Sequence, residues 1–140
     1  LDAWDSNTPS PWPREYRAFF TRFNQGEYYE AHDVLEHLWL RCTDSNRSFF
    51  QALIQLSGAF VHFKKHALHP HHPTHSRRIP PGCRLLDLAA KRLRCFPNPH
   101  MGIASSEVVA ICELWQGRAN SEISPLVEFP PPQIPEPKQT

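Results

Sequence analysis

Apolar residues recur along this chain with a helical period and nowhere alternate in twos over a useful length, so the pattern predicts an all-α fold. Tyr16, Phe19, Phe20 and Phe23 share one side of a first helix, Arg14–Asn24, with Arg14, Arg17 and Arg22 between them. Pro13 suits its first turn, where a missing N–H costs nothing. Asn24-Gln25-Gly26 should end it, Gly26 taking the left-handed closing conformation. A second helix, from about Glu27 to Arg41, carries Tyr28, Ala31, Leu35, Leu38 and Cys42 as its main stripe. Tyr29, His32, Glu36 and Trp39 or Leu40 form the adjacent stripe. The polar turn Thr43-Asp44-Ser45-Asn46 then leads into a third helix, roughly Arg47 to His66.

That third helix is apolar around most of its circumference (Phe49, Phe50, Leu53, Ile54, Leu56, Phe60, Val61, Phe63), so it should be central. One line breaks the pattern: Gln51, Gln55, Gly58 and His62, at i, i+4, i+7 and i+11. Glycine inside a helix costs about 1 kcal/mol relative to alanine. A close helix contact, or room for a bound group, would explain Gly58. Between Ala67 and Pro81 four histidines (His69, His71, His72, His75) alternate with prolines, which predicts a loop. A fourth helix is expected over about Cys83–Phe96, its basic residues near the C-terminal end as the helix dipole favours. A fifth should start at Ser105 or Ser106 and run to Gly117. The expected organisation is a single bundle of about five helices over residues 14–117, including the His/Pro-rich loop at 67–81. An extended N-terminal arm (1–13) and a proline-rich tail (118–140), irregular and either wrapped on the body or disordered, flank it.

Composition narrows the function classes. The 140 residues suffice for one modest core, and the 15 prolines shorten the packed part. A formal charge of +1 gives no reason to expect nucleic acid or an acidic membrane as partner. No apolar run approaches the roughly 18 residues of a membrane span. The first residues lack the basic start and apolar centre of a signal peptide. Cys42, Cys83, Cys95 and Cys112 are scattered without a C-x-x-C pair, which argues against structural zinc or a disulfide framework. A reducing, cytoplasmic setting is the expectation.

The chemistry concentrates where the second and third helices should pack antiparallel. A carboxylate or imidazole on a buried face must be paired, hydrogen-bonded or bound to a metal. His32 and Glu36, one turn apart, could face Gln51, Gln55 and His62, with Glu30 joining from the preceding turn. The sharper reading is a divalent-metal site, zinc for example, built from His32, Glu36 and His62 with one position left for water. Metal-assisted hydrolysis would then use Glu30 or Glu36 as base, with Gln51, Gln55 and Trp39 as substrate contacts. The bland reading is a non-catalytic structural or protein-interaction domain, in which the polar stripe is internal hydrogen bonding that fixes helix register. The His-rich loop reads as a solvated insertion, against the alternatives of incidental metal binding or a lid. Whether the protein is an enzyme stays open, as does its partner: a small molecule, another protein, or a second copy of itself.

Two long motifs carry a resemblance: F-N-Q-G-E-Y-Y-E-A-H-D-V-L-E-H-L-W from Phe23 to Trp39, and F-F-Q-A-L-I-Q-L-S-G-A-F-V-H from Phe49 to His62. With a weaker match over the later leucine-rich helix and the P-H-M-G-I turn at Pro99–Ile103, the chain resembles, over roughly Arg14 to Trp115, a small bacterial and archaeal helical family, domain of unknown function 309. The resemblance implies an all-α, single-domain fold and no established activity. The family's glutamate, histidine, glutamate and tryptophan fall on Glu30, His32, Glu36 and Trp39, and its second histidine on His62, which favours a metal or ligand site. The chain departs after His62, where a short G-N-x-x-G-A turn gives way to the His/Pro loop.

Overall fold

The computed structural model describes residues 10–120 and 122–139; of the arm expected over residues 1–13, the first nine residues, with Trp4, lie outside them. Six helices follow in order: α1 (Arg14–Asn24), α2 (Tyr28–Arg41), α3 (Asn46–Leu68), α4 (Ile79–Leu93), α5 (Ser105–Arg118) and the one-turn α6 (Pro125–Glu128). A 3-10 turn at His75–Arg77 precedes α4, and no strand occurs among the described residues. The all-α reading holds. No helix among these residues is long and apolar enough to cross a membrane.

The central position expected of α3 follows from its apolar surface. α2 packs on one side and α4 on another, α1 covers α2, and α5 covers α4. The Phe60 ring is the hub, lying 5.6 Å from Phe23, 5.3 Å from Tyr28, 5.5 Å from Phe63 and 5.1 Å from Trp115. It thereby ties α1, α2, α3 and α5 into one aromatic cluster whose mostly edge-on geometry is favourable beyond simple area burial. Two glycines let α4 approach α3 closely. A Cβ at Gly58 would stand 3.3 Å from Leu85, and one at Gly82 would stand 2.6 Å from the Phe63 ring. The Gly58 contact is the close helix approach that its position suggested.

Gly26 does adopt the left-handed conformation, φ +78°, turning the chain from α1 into α2. α4 departs from expectation. It begins at Ile79, not near Cys83, and absorbs Pro80 and Pro81. Both prolines sit in its first turn, where their missing N–H groups would have had no intrahelical partner. Prolines that read as loop punctuation are therefore a helix start. α3 also runs two residues further than expected, to Leu68.

The proline-rich tail wraps the body, and α6 is a helical turn within it that the proline content concealed. The Ser124 hydroxyl donates to the Phe63 carbonyl at 2.6 Å, fastening the tail to α3. Further on, the Asn24 side chain donates to the Ile134 carbonyl (2.9 Å) and accepts from the Ile134 N–H (2.8 Å). Ile134 itself is buried in the core. Lys138 N–H donates to the Gly102 carbonyl (2.8 Å), and the Trp12 indole donates to the Lys138 carbonyl (2.8 Å). Asn24→Ala removes both bonds that hold the Ile134 backbone, and we expect it to cost about 1–3 kcal/mol. A denaturant midpoint unchanged by this substitution would show that the tail is not part of the cooperative unit.

Candidate functional site

His32, Glu36 and Trp39 occupy i, i+4 and i+7 of α2; Gln51, Gln55 and Gly58 repeat that spacing on α3. The helices run antiparallel, since Tyr28 meets Phe60, Lys64 donates to the Gly26 carbonyl, and Arg47 covers Trp39. The two stripes therefore face each other. Together with Ile54, and with Leu85 from α4, they line a cavity of about 230 Å³.

Two kinds of polar group meet there. At the mouth, His32 Nε2 stands 3.8 Å from Glu36 Oε2, with side chains 32% and 43% exposed. That separation is too long for a hydrogen bond. Tyr29, exposed, stacks on the His32 ring with centroids 6.3 Å apart. Deeper, Trp39 Nε1 and Gln55 Oε1 are both shielded from solvent, and neither has a hydrogen-bond partner. Each such orphan costs on the order of 1–3 kcal/mol. Trp39 is nonetheless held in place: the Arg47 guanidinium lies 4.1 Å above its ring and Arg47 Nε donates to its carbonyl at 3.3 Å. Among the described residues no hydrogen bond joins Gln51 or Gln55 to His32 or Glu36, so the expected internal network across the two helices is not formed. A larger cavity, about 440 Å³, lies between the Pro99–Ala104 turn and the tail, but no such orphan lines it.

Five of the residues expected at the site are thus brought together: His32, Glu36, Trp39, Gln51 and Gln55. Glu30 and His62 are not. Glu30 is exposed on the first turn of α2; two residues before His32, it lies about 200° away around the helix. His62 shares the stripe of Gln55 but lies seven residues further along α3, about 10 Å at the usual helical rise. There its Nδ1 is 3.2 Å from Arg78 Nη1. A guanidinium only donates, so the His62 ring accepts in its neutral form. Burial holds its pKa below the ordinary value, and the Arg78, Lys65 and Arg84 charges add to the effect.

The three ligands expected for a metal, His32, Glu36 and His62, are accordingly not brought together. Among the described residues no group of three or more His, Cys, Asp or Glu side chains is placed to hold an ion. The rings of His69, His72 and His75 gather within 6.5 Å of one another, away from the cavity. His72 Nδ1 is taken by the Thr74 and His75 N–H groups, and His75 Nδ1 by Arg78 Nε. Two contributors escaped sequence reasoning. Leu85 reads as one more apolar residue of its helix, and the Arg47 stacking depends on where the turn aims a charged side chain; neither leaves a signal in the pattern.

Residues 16–70 match the model of a protein family described as a domain of unknown function (DUF309). That stretch carries every cavity residue except Leu85. The later leucine-rich helix and the P-H-M-G-I turn lie outside it. Comparison with curated proteins and with solved structures returned no match.

Two outcomes follow from this geometry. Gln55→Leu replaces an unpaired buried acceptor with an apolar group of similar size, so chemical denaturation should find it neutral or stabilising by up to about 1 kcal/mol. A loss of about 2 kcal/mol or more would mean that Gln55 belongs to a bonded network. His62, whose folded pKa is depressed, contributes stability that is complete above its ordinary pKa of 6.5 and is lost as pH falls through the lower folded value. His62→Gln should therefore flatten the decline in stability between about pH 7 and pH 5. It should not abolish that decline, because His75, beside the same Arg78, is depressed as well. An unchanged pH profile would contradict the assignment.

Proposed function

The chain belongs, through residues 16–70, to the DUF309 family, and on that footing we propose that it binds a small polar molecule between α2, α3 and α4. The observation that carries the reading is that Trp39 and Gln55, on opposite walls of one cavity, each hold a buried polar atom without a partner, Nε1–H and Oε1. Native structures leave few such groups, and each one is a place where a ligand or an ordered water recovers the lost hydrogen bond. A site that bound nothing would gain from having apolar residues there.

The roles follow from position. Trp39 donates and Gln55 accepts at the floor, while Gln51 supplies a further amide. Ile54, Leu85 and the indole ring give an apolar wall. His32 and Glu36, at the mouth, are the groups able to exchange a proton with a bound molecule. Metal-assisted hydrolysis is not part of this reading, since the donors do not assemble. Glu30 and His62 drop out of the machinery, and Glu36 keeps a place in it.

The test is a fragment screen read by the indole ¹H–¹⁵N resonance of Trp39, assigned with Trp39→Phe. We expect ligands that shift this resonance saturably and bind about tenfold more weakly to Gln55→Leu, a loss of roughly 1.4 kcal/mol. Ligands that leave the Trp39 indole unmoved, or bind both proteins equally, would overturn the reading.

A further inference from the structure

We infer that the occupant of this cavity is a neutral amide, either a carboxamide or a cyclic ureide, on a compact apolar body. The inference rests on the cavity being a ligand site and names the chemical class that the site selects. Of the residues that line the cavity, Trp39 carries a buried donor that cannot accept, its indole N–H, and Gln55 on the opposite wall carries a buried acceptor, Oε1, neither of them partnered. Both are already out of water, so a ligand lacking the complement of either leaves that group unpaired in the complex. The complement is a compact molecule with both a lone pair and an N–H.

The common charged alternatives fail on the same walls. A carboxylate brings only acceptors; it could satisfy Trp39, but it would approach the Glu36 carboxylate at the mouth, and Gln55 would have to turn its amide over to meet it. An ammonium brings only donors; it could satisfy Gln55, but it offers no lone pair to Trp39. An amide meets both requirements without net charge. Its N–H₂ also has a second proton to direct towards Glu36, and Gln51 stands on the same wall to bond either end. The size of the body follows from the volume. About 230 Å³ lies below the usual range for drug-sized ligands, so there is room for one small ring or a branched alkyl group against Ile54, Leu85 and Gly58.

The experiment uses four probes that share a phenyl body and differ in the head group: benzamide, benzoate, benzylammonium and toluene. Each is titrated against the full chain, with the Trp39 indole and Gln55 side-chain amide resonances as readout. Benzamide should shift both saturably and bind about tenfold or more tightly than any of the other three. Trp39→Phe and Gln55→Leu, each checked for native helix content, should each weaken benzamide about tenfold relative to toluene. Either variant suffices if the other does not fold. Benzoate or benzylammonium binding as tightly as benzamide would overturn the amide assignment while leaving the ligand site standing. No shift of the Trp39 indole by any probe would remove the ligand site as well.

Discussion

Everything in this fold is arranged around a helix that cannot face water. α3 is apolar on most of its circumference, and α2, α4 and their outer neighbours α1 and α5 are positioned by the need to cover it. Coverage brings neighbouring backbones close. Gly82 gives up its side chain to the Phe63 ring, and Gly58 lets Leu85 of α4 close over the polar stripe. A polar residue on such a helix has little access to solvent and must find its partners inside the protein or in something bound. Gln55 Oε1 finds none inside, nor does the Trp39 indole N–H, and a cavity lies between the two side chains.

The tail bears on the same requirement. After α5 the chain could have left the body; instead it returns along it, held by Ser124 on the Phe63 carbonyl and by the Asn24 amide on the Ile134 backbone. Extended, proline-rich backbone has no internal ladder, so the attachments pair side-chain and main-chain groups of the tail with side chains or carbonyls of the body. Those contacts bury Ile134 beside α1 without strand pairing. They leave the mouth of the α2–α3 cavity, on another part of the molecule, uncovered.

Much of this was legible in the sequence because helical periodicity reports which face is buried. The aromatic spacing of Tyr16 to Phe23, the left-handed Gly26 and the all-round apolarity of α3 each led to the observed element. Legibility failed where identity and position carry different messages. Pro80 and Pro81 read as breakers because their positions relative to a helix start were not visible; in a first turn they cost nothing. The site shows the same division. Spacing placed His32 and Glu36 opposite Gln51 and Gln55. It also grouped His62 with them, because a stripe records angle around a helix and not distance along it. Arg78, which takes His62 instead, lies within the stretch that reads as the His/Pro loop, and a contact made from there has no periodic signature. Leu85 was invisible for the opposite reason: it looks like every other core leucine.

The central claim is that the Trp39 N–H and the Gln55 carbonyl oxygen are kept unpaired by the protein so that something bound can pair them. The most direct measurement is a high-resolution crystal structure of the protein purified from cells without stripping of small molecules. The account predicts density in the cavity, from a ligand or from ordered water in its place, within hydrogen-bonding distance of both Trp39 Nε1 and Gln55 Oε1. An indole and an amide turned to bond protein groups, with Leu85 and Ile54 closed over an absent cavity, would contradict it.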